Sequence, residues 1–154
     1  MERNQEPRLT FIDTHIAVWL CSEKRRSFPA KARAAIEDGW LAISPMVELE
    51  LQFLQEIGRI KLGCDGILNN LSSLPLHIDQ TPFAAVTRAA STQTWTRDPF
   101  DRVIVGQALA AGGWLVTADE KFVNISPERS GIDLKETDLC PHPKPLKTTA
   151  CCAF

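Results

Sequence analysis

RDPFDRVIVGQALAAGGWLVTADEKF, residues 97–122, is the stretch on which the reading of this chain turns. It divides into a loop, a helix, a Gly-Gly turn, a strand and an acidic exit. Pro99 suits a first helical turn and Asp98 before it is a favoured cap, so a helix is predicted to begin at Pro99. Ile104, Val105, Ala108, Ala111 and Gly112 then recur at helical spacing as a core-facing stripe. Asp101 lies three and four residues before Ile104 and Val105 and shares that stripe. A carboxylate on a buried face is costly unless something pairs with it. Trp114 to Thr117 is a short apolar run suited to a covered parallel strand. Asp119 follows at that strand's C-terminal end, the edge where open α/β sheets bind ligands.

The chain ahead of this stretch has the same grammar. Leu9 to Ile12 is a short apolar run, broken by Asp13-Thr14 and followed by IAVWLC, which reads as a helix packed on the sheet. Asp13 is thus another acid at a strand-to-helix junction, and taken alone it reads first as an N-cap. A charged connector, SEKRRS, leads through Phe28-Pro29 to a helix ending near Asp38 and Gly39. Trp40 to Ile43 forms the second strand, and Ser44-Pro45 opens a helix to about Ile57 and Gly58. Asp65 is expected to cap a further helix reaching Leu74, and Leu76 to Ile78 forms a third strand. Thr81-Pro82 opens another helix, FAAVTRAAST. This alternation predicts an α/β fold with a central, mainly parallel sheet.

Within the helix after Ser44, two acids are distinguished by geometry. Glu48 and Glu50 are two residues apart and project about 200° apart around the axis. Glu50 neighbours Met46, Phe53, Leu54 and Ile57, an apolar face, whereas Glu48 neighbours Gln52 and Gln55, a polar face, although Leu51 also touches it. Glu48 is expected to be a solvated surface acid. Glu50 needs a partner.

At 154 residues the chain fits one domain with a proper core. With 44% hydrophobic and 23% charged residues its composition is that of an ordinary globular protein. The net charge of -2 gives no global basic field, so a nucleic-acid partner would need a local patch. No apolar run reaches membrane-span length and the first ten residues lack a signal peptide's apolar region, so a cytoplasmic location is expected. The cysteines at 21, 64, 140, 151 and 152 show no Cys-x-x-Cys pair, which favours free thiols over a disulfide framework or zinc site. The last four residues, CCAF, match a prenylation box, a pattern frequent by chance. After Val123 the periodicity weakens: Ile132 to Leu134 is a candidate short strand and the Pro-rich end reads as a flexible or partner-held tail. The division expected is a domain over residues 1–126 and an extension over 127–154.

Asp13 and Asp119 each follow a strand, Asp98 and Asp101 stand at a helix start, and Glu50 sits on an inward helix face. Each aspartate has a bland reading as a cap, including a capping arrangement for Asp98 and Asp101. In a parallel sheet, however, all of them converge on one end. Carboxylates crowded together repel one another, and a hard divalent cation removes that penalty. Mg²⁺ or Mn²⁺ takes oxygen ligands, keeps waters and suits phosphodiester chemistry. No Ser-His-Asp spacing, phosphate-cradling glycine loop or nucleotide fingerprint competes with this.

FIDTHIAVWL, ISPMVELELQFL with GRI after it, RDPFDRVIVGQAL and LVTADEKF occur in the order found in PIN-domain ribonucleases. Over residues 9–123 the chain resembles that family, in particular the VapC-type toxins of toxin–antitoxin modules. The resemblance implies a PIN-like α/β/α sandwich and a Mg²⁺- or Mn²⁺-dependent endoribonuclease. It also implies a homodimer and a cognate antitoxin. Carried over residue by residue, the metal-holding and catalytic acids are Asp13, Glu50, Asp101 and Asp119. Asp98 is an accessory acid, and Thr117 is a supporting polar position. Arg97, Arg102 and Lys121 flank the acids and are candidates for substrate phosphates, with exposed solubilising charge as the equal alternative; Arg102 is also placed to pair with Asp98. The rival reading is a non-catalytic PIN-like module that binds protein or RNA. A phosphatase of the haloacid-dehalogenase type is disfavoured, because the DTH after the first strand lacks its second aspartate. A flap nuclease is disfavoured by the chain's length.

Overall fold

A computed structural model describes residues 8–22 and 30–117. The elements run β1 (Leu9–Ile12), α1 (Thr14–Leu20), α2 (Ala30–Asp38), β2 (Trp40–Ile43), α3 (Pro45–Glu56), α4 (Cys64–Asn70), β3 (Leu76–Ile78), α5 (Phe83–Ser91), α6 (Pro99–Ala111) and β4 (Trp114–Val116). The strands form one parallel sheet in the order β3-β2-β1-β4. All the strands therefore end on the same side, and Asp13, Ser44, Asp79 and Thr117 follow β1, β2, β3 and β4 there.

Period-two alternation sorts the β1 side chains between the two faces. Phe11 packs with Ala42 and Ala108, bringing α6 onto one face. Ile12 joins Leu41, Ile43 and Val116 in the larger cluster that gathers residues of α1, α2, α3 and α4 together with Ile104 of α6. Phe11, Ile12, Leu41, Ile43, Val47 and Leu51 are fully buried, each contributing about 1.5–3 kcal/mol relative to exposure. The layers thus form the expected α/β/α sandwich. Among the described residues no helix is long and apolar enough to cross a membrane.

Local chemistry sets the helix ends. Asp98 accepts from the Phe100 amide at 2.8 Å with Pro99 behind it, and Gly112 ends α6 in the left-handed region at φ 68. Ser44 accepts from the Met46 amide at 3.1 Å to start α3. A glycine lets α6 lie close to α5: a Cβ at Gly106 would come within 2.7 Å of the Val86 carbonyl oxygen and 2.8 Å of the Ala90 nitrogen.

Two boundaries differ from expectation. The N-cap of α4 is Gly63, with Asp65 in the first turn, where its charge still favours the helix N-terminus. The helix also stops at Asn70 instead of Leu74. Leu74 donates instead to the Leu71 carbonyl at 2.9 Å, a tight turn ahead of Pro75.

Candidate active site

Three of the acids singled out in the sequence reach the C-terminal end of the sheet, each with a threonine as hydroxyl donor. Asp13 is 4% exposed. Its Oδ1 accepts from the Ile16 amide at 2.7 Å, so the cap reading holds, and its Oδ2 accepts from the Thr117 hydroxyl. Thr14, the next residue, donates to Glu50 Oε2 at 2.5 Å and so ties α3 to the end of β1. Thr96 donates to Asp101 Oδ2 at 3.1 Å and accepts from the Asp98 amide at 3.1 Å. The sequence names these three acids and Thr117, but Thr14 and Thr96 were not singled out from it. The signal available was only that hydroxyls next to acids at element ends often bond locally.

Glu50 shows how the group is coupled. Burial pushes its carboxyl above the usual range, and the charges of Asp101 and Asp98 push the same way. The Thr14 hydroxyl and the nearby His15 oppose the shift. Glu50 of α3 and Asp101 of α6 are therefore close enough to repel, although fifty residues separate them. Glu48 is half-buried elsewhere on α3, where its charge acts on Cys64.

The basic candidates divide. Arg102 donates from Nε to the Thr96 carbonyl at 2.7 Å, which braces the loop before α6. Arg97 is exposed. Asp119 and Lys121 lie outside the described residues, as does the region from 127 onward. A cleft of ≈ 230 Å³ at the β3 edge, lined by Leu68, Leu71, Leu74 and Ile78 among others, contains none of these acids.

The donors on Asp13, Glu50, Asp101 and their threonines are carboxylate and hydroxyl oxygens, and Glu50 is near two like charges, with His15 opposing them. That chemistry fits a hard divalent cation. Among the described residues, no three His, Cys, Asp or Glu side chains stand close enough together to form a complete metal-holding group. Asp13, Glu50 and Asp101 supply the fitting donor types without closing the set.

Comparison with known proteins places this arrangement in a family. The PIN domain pattern matches residues 10–126. Ribonuclease VapC22 of Mycobacterium tuberculosis is 33% identical over 114 residues, which span 72% of this chain and 87% of that protein. The structure of VapBC2 from Rickettsia felis, bound to a DNA fragment from their promoter, superposes with a TM-score of 0.57 at 22% identity, covering 74% of this chain and 90% of that one. DNA-bound VapBC from Salmonella typhimurium gives 0.55 at 18% identity, covering 82% and 98%. At those identities the solved structures speak for the fold alone. A parallel four-stranded sheet, acids at its C-terminal end and a match over most of the chain lead to one conclusion: this chain belongs to the PIN domain family, with VapC-type relatives.

Proposed function

We propose that the chain is a metal-dependent endoribonuclease, the toxin half of a toxin–antitoxin pair. The observation that carries this reading is that Glu50, bonded by Thr14 at the end of β1, feels the charge of Asp101 from α6, at the sheet end where such folds bind ligands. Asp13, Glu50 and Asp101 would hold Mg²⁺ or Mn²⁺, with Asp119 completing the set and Asp98 adding charge nearby. When bound, such an ion polarises a phosphodiester and lowers the pKa of a bound water. The protein's own part is to hold these carboxylates in place through Thr14, Thr96 and Thr117, and to keep part of the site from water. Exposed Arg97 is available to a substrate phosphate; Arg102 acts first on the loop, through its bond to Thr96.

The name of the mycobacterial relative supports ribonuclease activity, and the VapBC complexes support an antitoxin as partner. A homodimer belongs to the same proposal. Leu49, Phe53 and Ile57 form an exposed apolar stripe on α3, a surface suited to cover by protein.

The test is cleavage of structured RNA by antitoxin-free protein with Mg²⁺ or Mn²⁺. Cutting should be abolished by chelator and by Asp101→Asn, and spared by Glu48→Gln. If every RNA tested stays intact while the protein still binds RNA, the module is a non-catalytic binder. Light scattering on the isolated chain checks the dimer: a monomer mass rejects it.

A further inference from the structure

A second polar network lies at the same end of the sheet, and the reaction proposed above makes no use of it. Gln107 of α6 is 3% exposed. Its Nε2 donates to Asp79 Oδ1 at 2.5 Å, and its Oε1 accepts from the Ser44 hydroxyl at 3.5 Å. Ser44 is 1% exposed and caps α3. Asp79 sits just past β3, takes the Thr81 amide at 3.0 Å on the same oxygen, and donates its own amide to the Ile43 carbonyl at 3.0 Å. One buried amide side chain therefore joins the start of α3, the end of β3 and the middle of α6.

The positions along the two helices give this link its meaning. Glu50 lies six residues after Ser44 on α3, and Asp101 lies six residues before Gln107 on α6. Each carboxylate is thus about 9 Å of helix rise from the same Ser44–Gln107 contact. On the far side of the carboxylates, Phe53 of α3 stacks on Phe100 of α6 with ring centroids 5.9 Å apart. As residue number rises on α3 the partner's number falls on α6, so the helices run in opposite directions. The Glu50–Asp101 pair is bracketed by a polar clamp at one end and an aromatic clamp at the other.

We propose that Gln107 is a positioning residue that sets the spacing between Glu50 and Asp101 by locking α3 to α6 at the sheet edge, with Asp79 as its anchor. The inference rests on the reading of those two acids as metal-holding groups. An amide suits the role because it donates to a carboxylate and accepts from a hydroxyl at once. A residue that orients carboxylates bears on cation affinity, and outer partners of metal ligands typically matter by 10–100-fold.

The experiment titrates Mn²⁺ into the full chain without RNA and follows free Mn²⁺ by electron paramagnetic resonance. The variants are Gln107→Met, which keeps length and helix preference but removes both bonds, and Ile67→Ala, a core truncation in α4 that leaves the Ser44–Gln107–Asp79 bonds in place. Gln107→Met should bind Mn²⁺ at least about tenfold more weakly, while Ile67→Ala lowers the melting temperature and leaves Mn²⁺ affinity unchanged. Equal Mn²⁺ affinity in Gln107→Met and wild type overturns the proposal. So does an equal loss in both variants, which would mark mere destabilisation. If Gln107→Met does not fold, Asp79→Ala takes its place: several-fold weaker Mn²⁺ binding supports the anchor, and unchanged binding refutes it. Asp101→Asn distinguishes the two levels. Should Asp101→Asn bind Mn²⁺ like wild type, the metal reading of the site fails, whatever Gln107 does.

Discussion

Glu50 and Asp79 are both half-buried carboxylates near the C-terminal end of the same sheet, and their surroundings treat them in opposite ways. Glu50 has one hydroxyl donor, and burial with two nearby aspartates raises its pKa. For Asp79 burial alone would act in the same direction, but bonds from Thr81 and Gln107, with His77 nearby, more than offset it and the pKa is lowered. One acid is under-compensated, as a group awaiting a cation would be. The other is satisfied from within the fold. Perturbed acids cluster at functional sites, but only the sign and cause of the shift separate the working group from the scaffold.

The contrast breaks most visibly in catalysis. Asp101→Asn and Glu50→Gln should each lower RNA cleavage by more than about a hundredfold, beyond what outer-shell changes cost; rates within tenfold of wild type would make Glu50 no different in kind from Asp79. The next effect is on stability. Asp79→Ala should cost about 1–2 kcal/mol in denaturant unfolding at neutral pH, since it strands the Gln107 and Thr81 donors. Asp79 has a depressed pKa in the fold, so its contribution is present above the unfolded carboxyl value and lost as pH falls through the folded one. The gap between wild type and Asp79→Ala should therefore close below about pH 4; a gap that persists in acid would mean that the charge is not what counts.

Glu50 should behave oppositely, with a smaller effect. Its raised pKa means the folded state resists ionisation, so its favourable contribution is present at low pH and lost as pH rises through the folded value. Glu50→Gln should raise the melting temperature of metal-free protein at pH 7, with the gain fading below about pH 4. Saturating Mn²⁺ should erase the gain by stabilising wild type alone. Glu48→Gln sets the floor: cleavage within about twofold of wild type and stability within about 0.5 kcal/mol.

Much of the fold was legible because its boundaries are written in single residues. Asp98-Pro99 and Ser44-Pro45 each fix a helix start through local geometry that needs no distant partner, while Gly112, expected in the core-facing stripe of α6, is its exposed C-cap. The place of Asp13 was legible for a related reason: an acid directly after a short strand lies at the sheet edge once the sheet is parallel. The expected faces of α3 are not those observed: its buried residues are Val47 and Leu51, Phe53 and Ile57 beside Glu50 are exposed, and Glu48, expected to be solvated, is half-buried like Glu50. The failures lie where a local signal had a competitor. Asp65 is a good cap in isolation, but Gly63 takes that place. Gln107 lies among small and apolar residues and looks like a polar interruption, and Asp79 before Gln80-Thr81-Pro82 looks like turn punctuation. Their pairing spans 28 residues and depends on how α6 crosses the edge of the sheet, which no periodicity encodes.

Asp13 has a consequence for anyone wishing to disarm the protein. Its two oxygens hold the first turn of α1 and the segment leaving β4 together, in addition to any role in chemistry. A silent version made at this codon would lose a structural rivet along with its charge, so inactivity there would not distinguish a blunted blade from a warped handle. Asp101 takes the hydroxyl of a loop threonine, Thr96, so a change there meets the loop before α6 as well as the charge.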